Sequence, residues 1–411
     1  MPRRAVLVLL ALAAVLALTG CLKLNPQGGW SAPVASGDHV YVGAKGGVVT
    51  RISTDTGAFD PAWTFPPGDD LGRIYGTPRV AGGVVYGAGY NCKGTRCESH
   101  IFAASVETGA PLWGEITFDL KTEVVGAVAV EGETLVFGTS RIKGEDGAPG
   151  YLYALDVTAD AGQAVQERVG KRVRWRFPVG SRVWGGAAIA DGVAYFGAMD
   201  NVFYAVSLAP GEESGLDAPE RELWRFEAGG AIVAEPLIAN GMIYFGDFSG
   251  KVYGLNMAAR AEQGSGSTLV PGREWAFDAG GWMWATPLLH AGTLYVGTLA
   301  GDLYALDPAT GLPRWGAPTS IKGQIVGAPV AIPLPGGTAI AVPSSKEDVW
   351  VVDAVNGVLL NGFATDGGIK AATAVAGDLL YVHTMSDKLI TFSIADRREM
   401  SCLDAEDGGR C

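Results

Sequence analysis

The chain has 411 residues, among them 60 glycines, with 48% hydrophobic and only 18% charged side chains, and a formal net charge of −12. That acidic balance argues against nucleic acid as a partner and against a polybasic grip on anionic lipid. Few charges and many glycines fit a turn-rich, all-β protein with a large core, and length alone leaves the domain count open.

The N-terminus is a separate element. Arg3 and Arg4 precede an apolar run from Ala5 to Leu18, and Leu18-Thr19-Gly20-Cys21 follows. A basic start, a short apolar stretch and small residues form an export signal, too short to span a bilayer comfortably. The placement of the cysteine resembles a bacterial lipobox. That resemblance implies a leader over residues 1–20, lipidation of Cys21 and a tether over 21–29. Without the leader, 29 basic residues face 43 acidic ones, a formal −14. Acyl chains rather than surface charge would then supply the membrane affinity.

Residues 30–401 read as eight copies of one unit, most clearly between Trp284 and Trp315. Leu294-Tyr-Val296 is a β-favouring run, Gly297 to Gly301 a hairpin, and Leu303 to Leu306 the returning strand. Asp307 and Thr310-Gly311 supply a turn in which Asp bonds its own backbone and Gly takes positive φ, and Trp315 closes a fourth strand. The first strands are expected to begin at Trp30, Tyr75, Val125, Trp184, Val233, Trp284, Val326 and Lys370. Fourth strands carry Trp63, Trp113, Trp175, Trp224, Trp275 and Trp315. In the last two copies that place falls near Leu360 and Met400. Four strands per repeat of about 40–60 residues predict an eight-bladed β-propeller of four-stranded antiparallel blades.

Cys92, Cys97, Cys402 and Cys411 remain. An even number in an exported chain favours disulfides over metal ligation, with only His100 near. Of three possible pairings, proximity favours Cys92–Cys97 across a hairpin and Cys402–Cys411 across a tail of residues 402–411. The eighth repeat lacks both Thr-Gly and Trp in Asp396-Arg-Arg-Glu-Met400, so ring closure is assigned either to the N-terminal segment or to that tail.

The repeats resemble the PQQ-like propeller family, most strongly over Leu303-Tyr-Ala-Leu-Asp-Pro-Ala-Thr-Gly-Leu-Pro-Arg-Trp315 and more loosely at Thr54-Asp-Thr-Gly57 and Glu107-Thr-Gly109. The resemblance implies that the six repeat tryptophans dock between blades. With the lipobox, it extends to the BamB-like lipoproteins, which serve the outer-membrane β-barrel assembly machinery. It also raises PQQ- and Ca²⁺-dependent dehydrogenation. Such enzymes hold the quinone beneath adjacent cysteines and bind calcium through carboxylate and amide oxygens. No adjacent cysteines occur here, no acidic cluster repeats on the inner strands, and no cofactor, metal or catalytic residue is assigned.

The four histidines, His39, His100, His290 and His383, fall in four different repeats and read as surface or turn residues. Lys143-Gly-Glu-Asp-Gly147 reads as a solvated acidic hairpin tip. Propeller topology puts Trp30, Tyr75, Trp184, Trp284 and Lys370, with Arg73, Arg182 and Trp282 two places ahead of their first strands, on one rim. Aromatics and arginines gathered on a rim have the composition of a protein interface. The enlarged hairpins Tyr90 to Ser99 and Ser140 to Gly150 belong to the same face, whereas long connections from Val157, Ala209 and Met257 load the other. The expected function is a non-catalytic, lipid-anchored scaffold that binds protein partners in the cell envelope. It would sit on the periplasmic face of an outer membrane, or on the outer face of the cytoplasmic membrane in a cell that lacks one. A PQQ dehydrogenase and an envelope ligand-binding or sensing propeller are the alternatives.

Overall fold

The computed structural model describes residues 30–66, 71–93, 96–113, 118–140, 150–158, 172–209, 215–258 and 274–411. The leader, Cys21, the tether, the Lys143–Gly147 tip and most of the three long connections lie outside these residues. Eight four-stranded sheets follow one another along the chain, each with its strands in sequence order and every pairing antiparallel. In the sixth blade Leu288–His290, Thr293–Gly297, Asp302–Leu306 and Thr319–Ser320 are the strands. Leu294, Tyr295 and Val296 are buried between adjacent blades, so blade-on-blade packing supplies the core that one small sheet cannot. Among the described residues no helix is long and apolar enough to cross a membrane.

Most innermost strands are three residues long and begin four residues later than the sequence suggests. They start at Val34 rather than Trp30, Arg79 rather than Tyr75, Ala188 rather than Trp184, Leu288 rather than Trp284 and Ala374 rather than Lys370. Where a proline precedes the strand, as at Pro33, Pro78 and Pro287, it offers no N–H, so ladder pairing starts only beyond it. Trp113 and Trp315 sit in the turn before their fourth strands. Single bridges at Ala104↔Pro111 and Leu306↔Pro313, with hydrogen bonds from Leu112 N to Ala103 O and from Arg314 N to Ala305 O, pair these turns with the third strand.

The joints between blades follow a common device. Trp63 of blade 1 donates its indole N–H to Ser105 O of blade 2 at 2.9 Å. Trp275 of blade 5 donates to Pro308 O of blade 6 at 3.0 Å, and Trp315 of blade 6 to Val355 O of blade 7 at 3.2 Å. Each ring lies against a turn glycine at positive φ. A Cβ at Gly109, Gly311 or Gly357 would meet the indole at 3.4, 2.3 or 2.8 Å. Where insertions replace the turn, an arginine does the covering: the guanidinium of Arg172 stacks over Trp113 at 4.5 Å and that of Arg221 over Trp175 at 4.6 Å. Trp224 packs on Tyr195 and Phe203 of its own blade.

Ring closure rests on the last blade and its tail, and the first blade takes all four of its strands from its own contiguous segment. The fourth strand of blade 8 runs Arg398–Asp404, so Cys402 lies inside a strand rather than at the start of a tail. Register sets Ser401 opposite Thr391, beside a bulge, where Trp175 stands opposite Ala154 and Trp224 opposite Ala205. The tryptophan place is therefore Ser401, not Met400. Beyond it, Asp404 to Gly409 copies the receiving turn of the other blades: Gly408 N donates to Asp404 O at 3.0 Å and Asp404 N to Gly409 O at 2.7 Å. Gly408 backs onto Phe59 of blade 1, Ala405 O accepts from Thr50 Oγ1 at 2.9 Å, and Cys411 is bonded to Cys402. His383 corrects the surface reading. It is 1% exposed and bridges the closing blades, with Nδ1 2.8 Å from Ser31 O and Nε2 2.9 Å from an Asp387 oxygen.

Candidate functional site: the aromatic channel mouth

Four of the rim residues are aimed by their predecessors. Ile74, Val183, Met283 and Ile369 are fully or almost fully buried. The first three press under the last glycine of the preceding blade's second strand: a Cβ at Gly43, Gly138 or Gly246 would strike Ile74, Val183 or Met283 at 2.5 Å or less. Successive side chains of an extended segment point in opposite directions. Tyr75, Trp184, Trp284 and Lys370 are thereby turned toward the channel mouth.

The structure gathers these residues into two groups. In the first, spanning blades 8, 1 and 2, Lys370 Nζ lies 4.8 Å from the Trp30 ring, Trp30 meets Tyr75 edge-on at 4.7 Å, and Tyr75 stacks on Tyr90 at 5.3 Å. Arg73 and Tyr90 exchange backbone hydrogen bonds at 3.0 and 3.1 Å. Burial holds Lys370 below the usual lysine range and lifts both tyrosines above theirs; Tyr90 is raised further by Tyr75 and Glu123.

The second group spans blades 3 to 6. Trp184 donates to Ser140 Oγ at 3.2 Å, carries the Arg182 guanidinium at 5.7 Å, and meets Trp284 at 6.3 Å. Phe248 completes it, lying 5.8 Å from Trp284 and stacked on Trp282 at 5.1 Å with 10° between the planes. Trp282 is 53% exposed, the largest apolar surface at this mouth.

Sequence reasoning missed Phe248 and the residue that holds it. Asp247 is fully buried, and its carboxylate accepts from Gly230 N, Ser249 N, Ser249 Oγ, Lys251 N and Tyr253 Oη, all between 2.7 and 3.0 Å. That fixes the hairpin tip and presents Phe248 beneath Trp282. The signal was present in Asp247-Phe-Ser-Gly250, an Asx-turn with a large apolar residue at an otherwise polar tip. The Cys92–Cys97 disulfide closes the neighbouring hairpin of blade 2.

Aromatic faces with cations beside them suit recognition by stacking and apolar burial. A calcium–quinone centre does not fit the donors present. Among the described residues, the one group of metal-ligating side chains is Cys92, Cys97 and Glu123, and the disulfide consumes both thiols. One carboxylate falls far short of the six to eight oxygens that calcium takes. The Asp247 carboxylate is already occupied by donors of its own hairpin, by Gly230 N and by Tyr253 Oη.

A family model described as outer membrane protein assembly factor BamB matches residues 17–168, 98–258 and 263–396. No curated protein matches in sequence. BamB from Moraxella catarrhalis superposes with a TM-score of 0.60 at 17% identity, over 88% of this chain and 95% of that one. A computationally designed protein, Ika8, gives 0.61 at 14% identity, over 87% and 93%. Quinohemoprotein alcohol dehydrogenase from Comamonas testosteroni gives 0.57 at 14% identity, over 90% and 73%. At these identities the structural likenesses show a shared fold, which an enzyme, a designed ring and an assembly factor all use.

Proposed function

Since the chain belongs to the family of outer membrane protein assembly factor BamB, we propose that it is a non-catalytic scaffold of the cell envelope, anchored by a lipid on Cys21, that docks a partner of the outer-membrane β-barrel assembly machinery through its aromatic channel mouth. The observation that carries this reading is the half-exposed Trp282, stacked on Phe248 beside Trp284, Trp184 and Arg182. An exposed aromatic on a rigid base, with an arginine alongside, has the make-up of an interface hot spot. Blade edges with free backbone groups would add strand pairing to clients that are themselves rich in strands.

The test is crosslinking and co-purification of the full-length lipoprotein with barrel-assembly proteins from native membranes, comparing wild type with Arg182→Ala/Trp284→Ala. The double variant should lose about tenfold or more of the captured partner while melting within a few degrees of wild type. Undiminished capture by a folded double variant removes the mouth as the docking face. Binding of PQQ with Ca²⁺ by the wild type, seen by calorimetry, would reinstate the dehydrogenase.

A further inference from the structure

The joint between blades 6 and 7 carries an open cavity on the face opposite the channel mouth. Its volume is about 330 Å³, and it is lined by His290, Tyr295, Arg314 and Trp315 of blade 6 and by Thr338 and Val355 of blade 7. Blade 7 builds the extra wall. Its innermost strand, Val330–Leu334, has five residues where the other seven blades have three, and Thr338 pairs with Pro333 in that added length. The rim is apolar: Val355 is 85% exposed, and Val358 of the same turn and Leu312 of the matching turn of blade 6 are exposed as well. With Leu359, they make four of the seven exposed large apolar side chains among the described residues. Apolar side chains left exposed around a cavity mark a contact surface.

The walls combine aromatic surface with unspent hydrogen-bonding capacity. Arg314 gives one N–H to Thr293 Oγ1 at 3.1 Å and one to the Asp307 carboxylate at 2.9 Å, which fixes its plane and leaves three of its five donors. Neither the His290 ring nor the Thr338 hydroxyl has a hydrogen-bond partner among the described residues. Charge narrows the guest further. Asp307 pairs with Arg314, and the Tyr295 phenol, lifted above its usual range by burial, is lifted further by Asp353. An anion would therefore meet two carboxylates against one guanidinium, and a cation would meet the guanidinium itself.

We propose that this cavity receives a tyrosine side chain carried on an extended segment of a partner protein. Its size is at the lower end of ligand pockets, room for one large side chain rather than a folded element. A phenol ring matches the Trp315 and Val355 walls, and its hydroxyl accepts from Arg314 while donating to His290 or Thr338. Phenylalanine would leave those groups unused, and an indole N–H donates but cannot accept from Arg314. The uncharged outer strand that follows the rim turn, Leu359–Phe363, offers backbone groups along which such a segment lies. None of the chain's own thirteen tyrosines is exposed, so a second copy does not supply the guest. The cavity is separate from the channel mouth, and this inference stands whether or not the mouth docks a partner.

The test is titration of the isotope-labelled full chain with N-acetyl-tyrosinamide. It should shift the His290, Thr338 and Val355 amides saturably, with a Kd on the order of millimolar as expected for one side chain. N-acetyl-phenylalaninamide and N-acetyl-tryptophanamide should bind about fivefold or more weakly. Thr338→Met fills the cavity and should abolish the shifts. Val355→Asp, at an exposed rim position, should melt as wild type does and bind about tenfold more weakly; it decides the matter if Thr338→Met fails to fold. No saturable shift, shifts outside the cavity, equal or tighter binding of either other analogue, or undiminished binding by folded Val355→Asp would each overturn the proposal. Concentration-dependent shifts of the same amides without any ligand would put a second copy there and overturn the separate partner.

Discussion

The joint from blade 6 to blade 7 and the joint from blade 8 to blade 1 solve one problem in two ways. At the first, Trp315 covers the turn of the next blade, bonds Val355 O and packs near Tyr295, so a single side chain fills the gap and satisfies a carbonyl. At the second, the same place holds a serine. The closure is spread instead over His383 and Ser31, Lys45 N on the Asp387 carboxylate, Thr50 on Ala405, and a tail turn against Phe59. The interior joints need no cross-link because chain continuity holds adjacent blades together. The closing joint joins residues more than 340 positions apart in sequence and lacks that continuity. Its many polar contacts stand in for a missing covalent neighbour, and the disulfide within blade 8 ties down the tail turn that makes some of them.

The largest effect should come from removing the indole. Trp315→Ala opens a cavity at a buried joint and is expected to destabilise the ring by about 3–5 kcal/mol, whereas Ser401→Ala, which deletes an unbonded hydroxyl, should change it by less than about 0.5 kcal/mol. Urea unfolding of both variants checks this. Similar costs at the two joints would erase the distinction between them.

Next comes the tail. Cys402→Ser/Cys411→Ser removes a short closed loop and should cost about 2–3 kcal/mol. Its more specific signature is spatial: amide exchange should accelerate first in His39–Gly43 and Leu379–His383, which flank the closing joint, and last in blades 4 to 6. Uniform acceleration around the ring would show that the tail is not what holds the seam.

Much of this was legible in the sequence and some was not, for identifiable reasons. Repeat number and strand order followed from turn residues and period, because Gly and Asp at turns act locally, and both disulfides followed from the even cysteine count and sequence proximity. Innermost strand starts were misjudged because an apolar aromatic ahead of small residues and proline looks like strand, and only the missing N–H says otherwise. The tail was read as an appendage because Asp404-Ala-Glu-Asp-Gly408 lacks the Thr-Gly signature, although its backbone repeats the turn. Rim residues could be placed on one end from topology alone. Their grouping could not, since Trp184 and Trp284 stand a hundred residues apart and open two different blades, with Val233 of the blade between them buried. Phe248 was missed because its role depends on the Asp247 carboxylate, which a sequence shows only as another acid.

The smallest effect belongs to the joint from blade 1 to blade 2, which adds an arginine–carboxylate pair to its tryptophan. Arg51 stacks over Trp63 at 5.6 Å, donates to Val106 O of blade 2 at 2.7 Å, and pairs with Asp60. That guanidinium holds the Asp60 carboxyl below its ordinary value of 3.8. A carboxyl whose folded value is depressed stabilises the fold above the unfolded value, and the contribution is lost as pH falls through the folded one. Protonation also frees Arg51 to leave the indole, so acid acts on the joint as well as on the pair. The melting temperature should therefore drop as pH is lowered below about 4, and Asp60→Asn should start lower and flatten that part of the curve. Because the pair is partly exposed, salt screening should shrink the difference between wild type and Asp60→Asn. A pH curve unchanged by Asp60→Asn would mean that Trp63 and Ser105 hold this joint without help from Arg51, making it the equal of the Trp315 joint.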